Sequence, residues 1–208
     1  MDDKDYFRFI HDLFEFNDQQ KVLDNAYYFN IQDIRYPEIR HKVRRARKLL
    51  VEIHAFCLMP NHYHLLLSEK VKGGISLFMR KLNGGYSRYF NNRHKRTGTL
   101  FERKYKSILV AGQAHFIHLP YYIHLNPLDL FAPEWREGRL KDRKKSLNFL
   151  NTYRWSSHLD YWGKENFPSL TSREFLLEIF GGEKGYQKKL SGYLKDLSFA
   201  GVRDMALE

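Results

Sequence analysis

At 208 residues the chain is long enough for one domain with a substantial core and some appendages. Its 35 Lys and Arg exceed its 24 Asp and Glu by 11, which favours an anionic partner, nucleic acid being the commonest. The single cysteine, Cys57, excludes an intrachain disulfide framework and a cysteine-based zinc finger, and no apolar run matches a membrane span, so a cytoplasmic setting without a membrane partner is expected.

Asp2 to Phe16 reads as a helix, because Tyr6, Phe9, Ile10, Leu13 and Phe14 recur at helical spacing and acidic residues crowd the start. Residues 17–37 are mixed and polar, and a basic segment from Arg40 to Lys48 follows. Leu49–Met59 and His62–Ser68 read as strands joined at Pro60-Asn61. With a two-residue loop, Cys57 faces His64 across the hairpin, Met59 faces His62, and His54 lies on the opposite face. Gly73-Gly74 opens a second helix with the apolar stripe Ile75, Phe78, Met79, Leu82, Tyr86, Tyr89 and Phe90, weakened at Gly84-Gly85. Asn91 to Gly98 is a charged turn, and Thr99 to Val110 reads as another strand. Gln113 to Leu125 reads as a third helix with a defect at Pro120, stopped by Asn126-Pro127. A basic stretch, Arg139–Lys145, and a helical tail from Thr171 complete the chain. The simplest partition is a core over residues 1–130 and a basic linker with a C-terminal extension over residues 131–208.

Side chains alternate faces along a strand, so His62 and His64 point the same way and can hold one metal ion. Taken alone, such a pair is more often two ordinary strand residues. Tyr122 and Asn126 lie four residues apart on one helix face, where a phenol hydroxyl and an amide oxygen project together; Tyr121 pairs instead with Leu125. The same two residues also read as a core phenol and a helix cap. Two neutral imidazoles and one amide leave most coordination positions open, which suits Mg2+ or Mn2+ on a phosphodiester better than zinc. A tyrosine needs an ion or base nearby to act as a nucleophile, because its ordinary pKa is about 10. His115, His118 and His124 read as a polar helical face or as nucleic-acid contacts.

Three segments in order, Cys57-Leu-Met-Pro-Asn-His-Tyr-His-Leu-Leu-Leu67, Tyr122-Ile-His-Leu-Asn-Pro127 and Trp155-Ser-Ser157, resemble the single-tyrosine HUH transposases. Within that group the resemblance is strongest to the REP-associated tyrosine transposases of bacteria, and it covers roughly residues 1–163. It implies an α+β fold: a ferredoxin-like, RRM-type antiparallel sheet with helices on one face, followed by a C-terminal helical extension. It also implies His62 and His64 as metal ligands with Asn126 as a third, Tyr122 as nucleophile, and Mg2+ or Mn2+ as cofactor. The implied activity is cleavage and rejoining of single-stranded, hairpin-forming DNA through a 5′-phosphotyrosine link, in a monomer or a homodimer.

The chain departs from that pattern twice. The family lays down a strand before its first helix, whereas this chain opens almost directly on the helix. The sheet would then lack a strand and expose unpaired backbone that invites pairing with another chain. Pro120, two residues before Tyr122, would kink or restart its helix and leave the orientation of the phenol open.

Arg44, Arg45 and Arg47, then Arg93, Lys95 and Arg96, then Arg103, Lys104 and Lys106 are candidate contacts to a DNA backbone, and nearby Tyr and Phe could stack unpaired bases. Two other functions draw on the same residues. One is hairpin binding without catalysis, and the other is a metal-dependent phosphoesterase that uses the histidines but not Tyr122.

Overall fold

A computed structural model describes residues 1–20 and 46–196 of the chain. The polar connection after residue 20 and the basic residues Arg44 and Arg45 lie outside the described residues. Two compact units interleave along the sequence. One comprises Met1–Glu52, Leu67–Lys106 and Pro168–Leu170; the other comprises Ile53–Leu66, Ser107–Phe167 and Thr171–Glu208.

In the first unit, α1 spans Asp3–Glu15 and starts with a reciprocal cap. The Asp2 carboxylate accepts the Asp5 N–H, and the Asp5 carboxylate accepts the Asp2 N–H, both at 3.1 Å. The acidic start is thus a helix signal, because these carboxylates satisfy amides that the helix leaves open. Tyr6, Phe9, Ile10, Leu13 and Phe14 are buried, as the spacing predicts. The long helix α2, Gly74–Arg93, buries Phe78, Met79, Leu82 and Tyr86. Its weak centre has a packing reason: a β-carbon on Gly85 would collide with the Phe16 ring. Phe9 meets Tyr86 edge-on, ring centroids 4.8 Å apart. At the end of α2, Arg93 bonds Asp2 at 2.5 Å and also pairs with Asp5, placing a cation at one helix C-terminus and anions at another helix N-terminus.

Strands β1, Val51–Leu58, and β2, Tyr63–Glu69, form an antiparallel hairpin. The Met59 N–H donates to the His62 carbonyl at 2.8 Å, so these residues face each other as a two-residue loop requires. The fold is α+β, and the sheet contains two strands among the described residues. The strand expected over 99–110 is absent: residues 102–109 are exposed and irregular. Their alternation sets Arg103 between Phe101 and Tyr105, so neither face is apolar throughout, and the segment has no ladder partner among the described residues.

The expectation of unpaired backbone beside β1 is also corrected. Outside the hairpin ladder, the Val51 N–H and carbonyl are bonded by the Asn17 side chain at 3.0 and 2.9 Å. The Ile53 carbonyl accepts from Ser172 N–H at 2.9 Å, and the His54 carbonyl accepts the Tyr161 hydroxyl at 2.8 Å. Further along, Ser157 N–H donates to the Phe56 carbonyl at 3.0 Å, and Leu58 N–H donates to the Trp155 carbonyl at 2.8 Å. Side chains and one short antiparallel bridge, Cys57 with Ser156, do what a neighbouring strand would do.

The rest of the second unit is helical. Helix α3 spans Gln113–Leu125 and runs through Pro120. After Leu125 the chain tightens into 3-10 turns over Asn126–Leu130 and Pro133–Glu137. Helix α4, Arg143–Leu150, falls partly in the stretch read as basic linker and is capped by Asp142. Short helix α5, His158–Tyr161, precedes the expected helical tail, which forms α6, Glu174–Phe180, and α7, Gly182–Asp196. No helix among the described residues is long and apolar enough to cross a membrane.

Candidate active site

The hairpin and α3 bring the two halves of the site together in the second unit. The rings of His62 and His64 lie 4.9 Å apart, centroid to centroid, and perpendicular. The Tyr122 ring is 6.5 Å from that of His64. His62 Nδ1 lies 2.8 Å from Asn61 Oδ1, which can only accept, so Nδ1 carries the proton and Nε2 presents its lone pair. Nε2 of His64 is buried without a hydrogen-bond partner among the described residues. Burial is the main reason both imidazoles resist protonation: His62 is lowered, and His64 is pushed down to about 4, with neighbouring His62 and Arg136 adding to the effect. Two neutral rings, one with an orphaned nitrogen, have the chemistry of metal ligands. Among the described residues no group of three or more His, Cys, Asp or Glu could hold a metal ion, so a further ligand from those residues would be of another type.

Tyr122 is only 2% exposed, and α3 holds it despite Pro120. Its hydroxyl accepts a hydrogen bond from Arg136 Nη1 at 2.9 Å. Arg136 Nη2 donates to Asn126 Oδ1 at 2.9 Å and to Asp129 Oδ2 at 2.7 Å, while its Nε donates to Asp129 Oδ1 at 2.8 Å. The Trp135 indole N–H donates to the same Asp129 oxygen at 2.7 Å. The Asn126 amide nitrogen donates back to the Tyr122 carbonyl at 2.9 Å. Asn126 is fully buried and wired to the backbone of Tyr122's own turn.

Asp129, Trp135 and Arg136 were not among the residues singled out from the sequence. Their only signal is an acid and a base seven positions apart after Asn126-Pro127. That spacing has no fixed geometry outside a regular helix.

Among the α3 histidines, His124 departs from the polar face or nucleic-acid contact expected of it. His124 is fully buried, neither a polar surface residue nor a nucleic-acid contact. Its Nδ1 lies 2.8 Å from the Tyr186 hydroxyl and its Nε2 lies 2.7 Å from Ser157 Oγ. His158 Nδ1 lies 2.9 Å from the same Tyr186 hydroxyl, and its Nε2 lies 3.1 Å from Asn151 Oδ1. One proton arrangement satisfies the set: His158 donates to Asn151, Tyr186 to His158, His124 to Tyr186, and Ser157 to His124. Ser157 Oγ also accepts the Phe56 N–H at 2.9 Å. The Trp155-Ser-Ser157 segment thus ties β1 to the helix that carries Tyr122. His118 bonds Tyr193, and Tyr121 is a core residue stacked 5.1 Å from Tyr186. His54 faces Ser172 and Phe116, away from the pair.

Of the basic residues, Lys95, Arg96, Arg103, Lys104 and Lys106 are exposed. Arg47 is committed to α1, donating to the Phe14 carbonyl at 2.6 Å, and Arg93 is held by Asp2 and Asp5. These five exposed residues and Arg93 belong to the first unit.

A histidine pair with a tyrosine beside it, in a basic chain, is the arrangement that the resemblance to single-tyrosine transposases implies. The family model described as "Transposase IS200 like" matches residues 10–126, more than half of the chain, and the chain belongs to that family. No curated protein and no solved structure matches it.

Proposed function

We propose that this transposase cleaves and rejoins single-stranded, hairpin-forming DNA through a 5′-phosphotyrosine link to Tyr122, as the REP-associated subgroup it resembles does. The observation that carries the reading is the 6.5 Å approach of Tyr122 to His64, whose Nε2 is buried and unpartnered. The Tyr122 oxygen attacks phosphorus: the O–P bond forms as the bond from phosphorus to the 3′-oxygen breaks. The phenol proton passes to solvent and the departing 3′-oxygen takes one up. Attack by a 3′-hydroxyl later reverses the exchange, so no ATP is consumed. Mg2+ or Mn2+ held by His62 and His64, with Asn126 as third ligand, would neutralise charge on the scissile phosphate. Asn126 Oδ1 would then share its lone pairs between the ion and Arg136.

Lys95, Arg96, Arg103, Lys104 and Lys106 would bind phosphates, whereas Arg47 and Arg93 would first have to exchange their present partners. Residues 1–130 serve as catalytic core, and the extension from residue 131 supplies Arg136 behind the nucleophile. The protein would work in the cytoplasm. A homodimer fits the same reading, although contact through the outer edge of β1 would cost the bonds made there. The 2% exposure of Tyr122 favours one competing reading, hairpin binding without cleavage.

The test is incubation of labelled single-stranded hairpin DNA with the protein and Mn2+, followed by denaturing electrophoresis. A covalent protein–DNA adduct that vanishes in Tyr122→Phe is expected. Binding without an adduct would establish the non-catalytic reading, and cleavage surviving Tyr122→Phe would establish a phosphoesterase.

A further inference from the structure

Resting on that reading, we propose that Arg136 is a positioning residue for the nucleophile, fixing the Tyr122 hydroxyl through one arm of its guanidinium while Asp129 fixes the guanidinium. The two arms reach two groups on one face of the chain: Nη1 reaches the Tyr122 hydroxyl and Nη2 the Asn126 amide oxygen, each at 2.9 Å. The other edge of the fork takes both Asp129 oxygens, at 2.8 and 2.7 Å, and the Trp135 indole N–H pins that carboxylate from a third direction. The guanidinium also lies 5.0 Å from the Trp135 ring centroid, which restricts it from the side. A surface ion pair needs none of this. Four groups from two successive 3-10 turns and the end of α3 converge on one planar cation.

The chemistry asks for arginine. A guanidinium only donates, so the phenol oxygen must accept, and its own O–H is directed away from Arg136. The planar fork sets the direction as well as the distance, which a lysine ammonium on a flexible stem does not. Because Asn126 is held by the same fork, phenol and amide move as one body. Displacing a nucleophile by about 1 Å can cost about 10²-fold in rate, so this constraint acts on the chemical step more than on DNA capture.

Two measurements on the full chain test this. Single-turnover adduct formation at saturating hairpin DNA with Mn2+ should slow about 10²-fold in Arg136→Ala and less in Arg136→Lys, with hairpin affinity nearly unchanged. An unchanged rate, a loss confined to affinity, or a faster rate, which would mark a latch, overturns the proposal. The second readout needs no activity: 3-fluorotyrosine placed at position 122 and followed by fluorine NMR without DNA. A resonance of a restrained ring that becomes motionally averaged in Arg136→Ala, while circular dichroism stays the same, is the expected result. A line that does not change overturns the proposal. If Arg136 orders the ring but wild type forms no adduct, the transposase reading fails instead. Asp129→Asn, which keeps the shape but weakens the hold on Arg136, should fall between wild type and Arg136→Ala in both measurements and guards against misfolding in the alanine variant.

Discussion

Two pairs of histidines in the same unit differ in what their nitrogens touch. His124 and His158 are enclosed, and all four ring nitrogens are paired, with Ser157, Tyr186 and Asn151. His62 and His64 sit at the hairpin end, where His62 bonds Asn61 through Nδ1 and His64 Nε2 has no hydrogen-bond partner among the described residues. The first pair has spent its bonding capacity on holding β1 to α3. The second keeps bonding capacity that the described residues do not use. Leaving a buried nitrogen unpaired costs stability, and a bound ligand is one arrangement that would offset it.

The sharpest way to break this comparison is to exchange the outcomes of the two pairs. His64→Ala should abolish adduct formation while leaving the unfolding free energy from a urea titration within about 0.5 kcal/mol of wild type or above it, because it removes an unsatisfied nitrogen. His124→Ala should lower unfolding free energy by about 3–5 kcal/mol in the same titration, since it opens a cavity and strands Ser157 and Tyr186. Equal stability losses at the two positions would show that both pairs are structural.

A smaller effect is a pH dependence of stability. The folded His158 imidazole is held down to about 3, mainly by burial and further by Lys164, whereas an unfolded histidine titrates near 6.5. Between these values the unfolded chain binds more protons, so stability should be full above pH 6.5 and fall as pH drops toward 3, by about 1.4 kcal/mol per unit for one such group. His124, also lowered by burial, steepens the slope. Thermal unfolding of His158→Gln across the same range should show a shallower decline; an unchanged slope would assign the effect to other groups. Tyr186→Phe, which removes the hydroxyl shared by both imidazoles, should cost about 1–3 kcal/mol with little effect on adduct formation per folded molecule. The smallest change is expected from Asn61→Ala, which frees the His62 tautomer and should weaken Mn2+ binding by calorimetry about tenfold.

Much of the site was legible because it is local. His62 and His64 share a face by strand alternation, and Tyr122 and Asn126 share one by helical spacing; neither needs a third element. Helix boundaries came through for a similar reason, as with the Asp2 cap and the apolar stripe of α2. The misread segment, 99–110, shows the limit: alternation without a partner strand is not a sheet, and pairing is decided elsewhere in the chain.

What the sequence determined by itself is the histidine pair, the Tyr122/Asn126 face, the hairpin that presents the pair and the transposase family to which the chain belongs. Only the tertiary structure decided how the edge of β1 is satisfied, by Asn17, Ser157 and Tyr161, which lie far from it in sequence. It likewise decided that His124 is a bolt rather than a contact, and that Arg136 and Asp129 stand behind Tyr122. A hydrogen bond within one element is set by a repeat that can be counted, whereas one between elements depends on where the rest of the core puts its backbone.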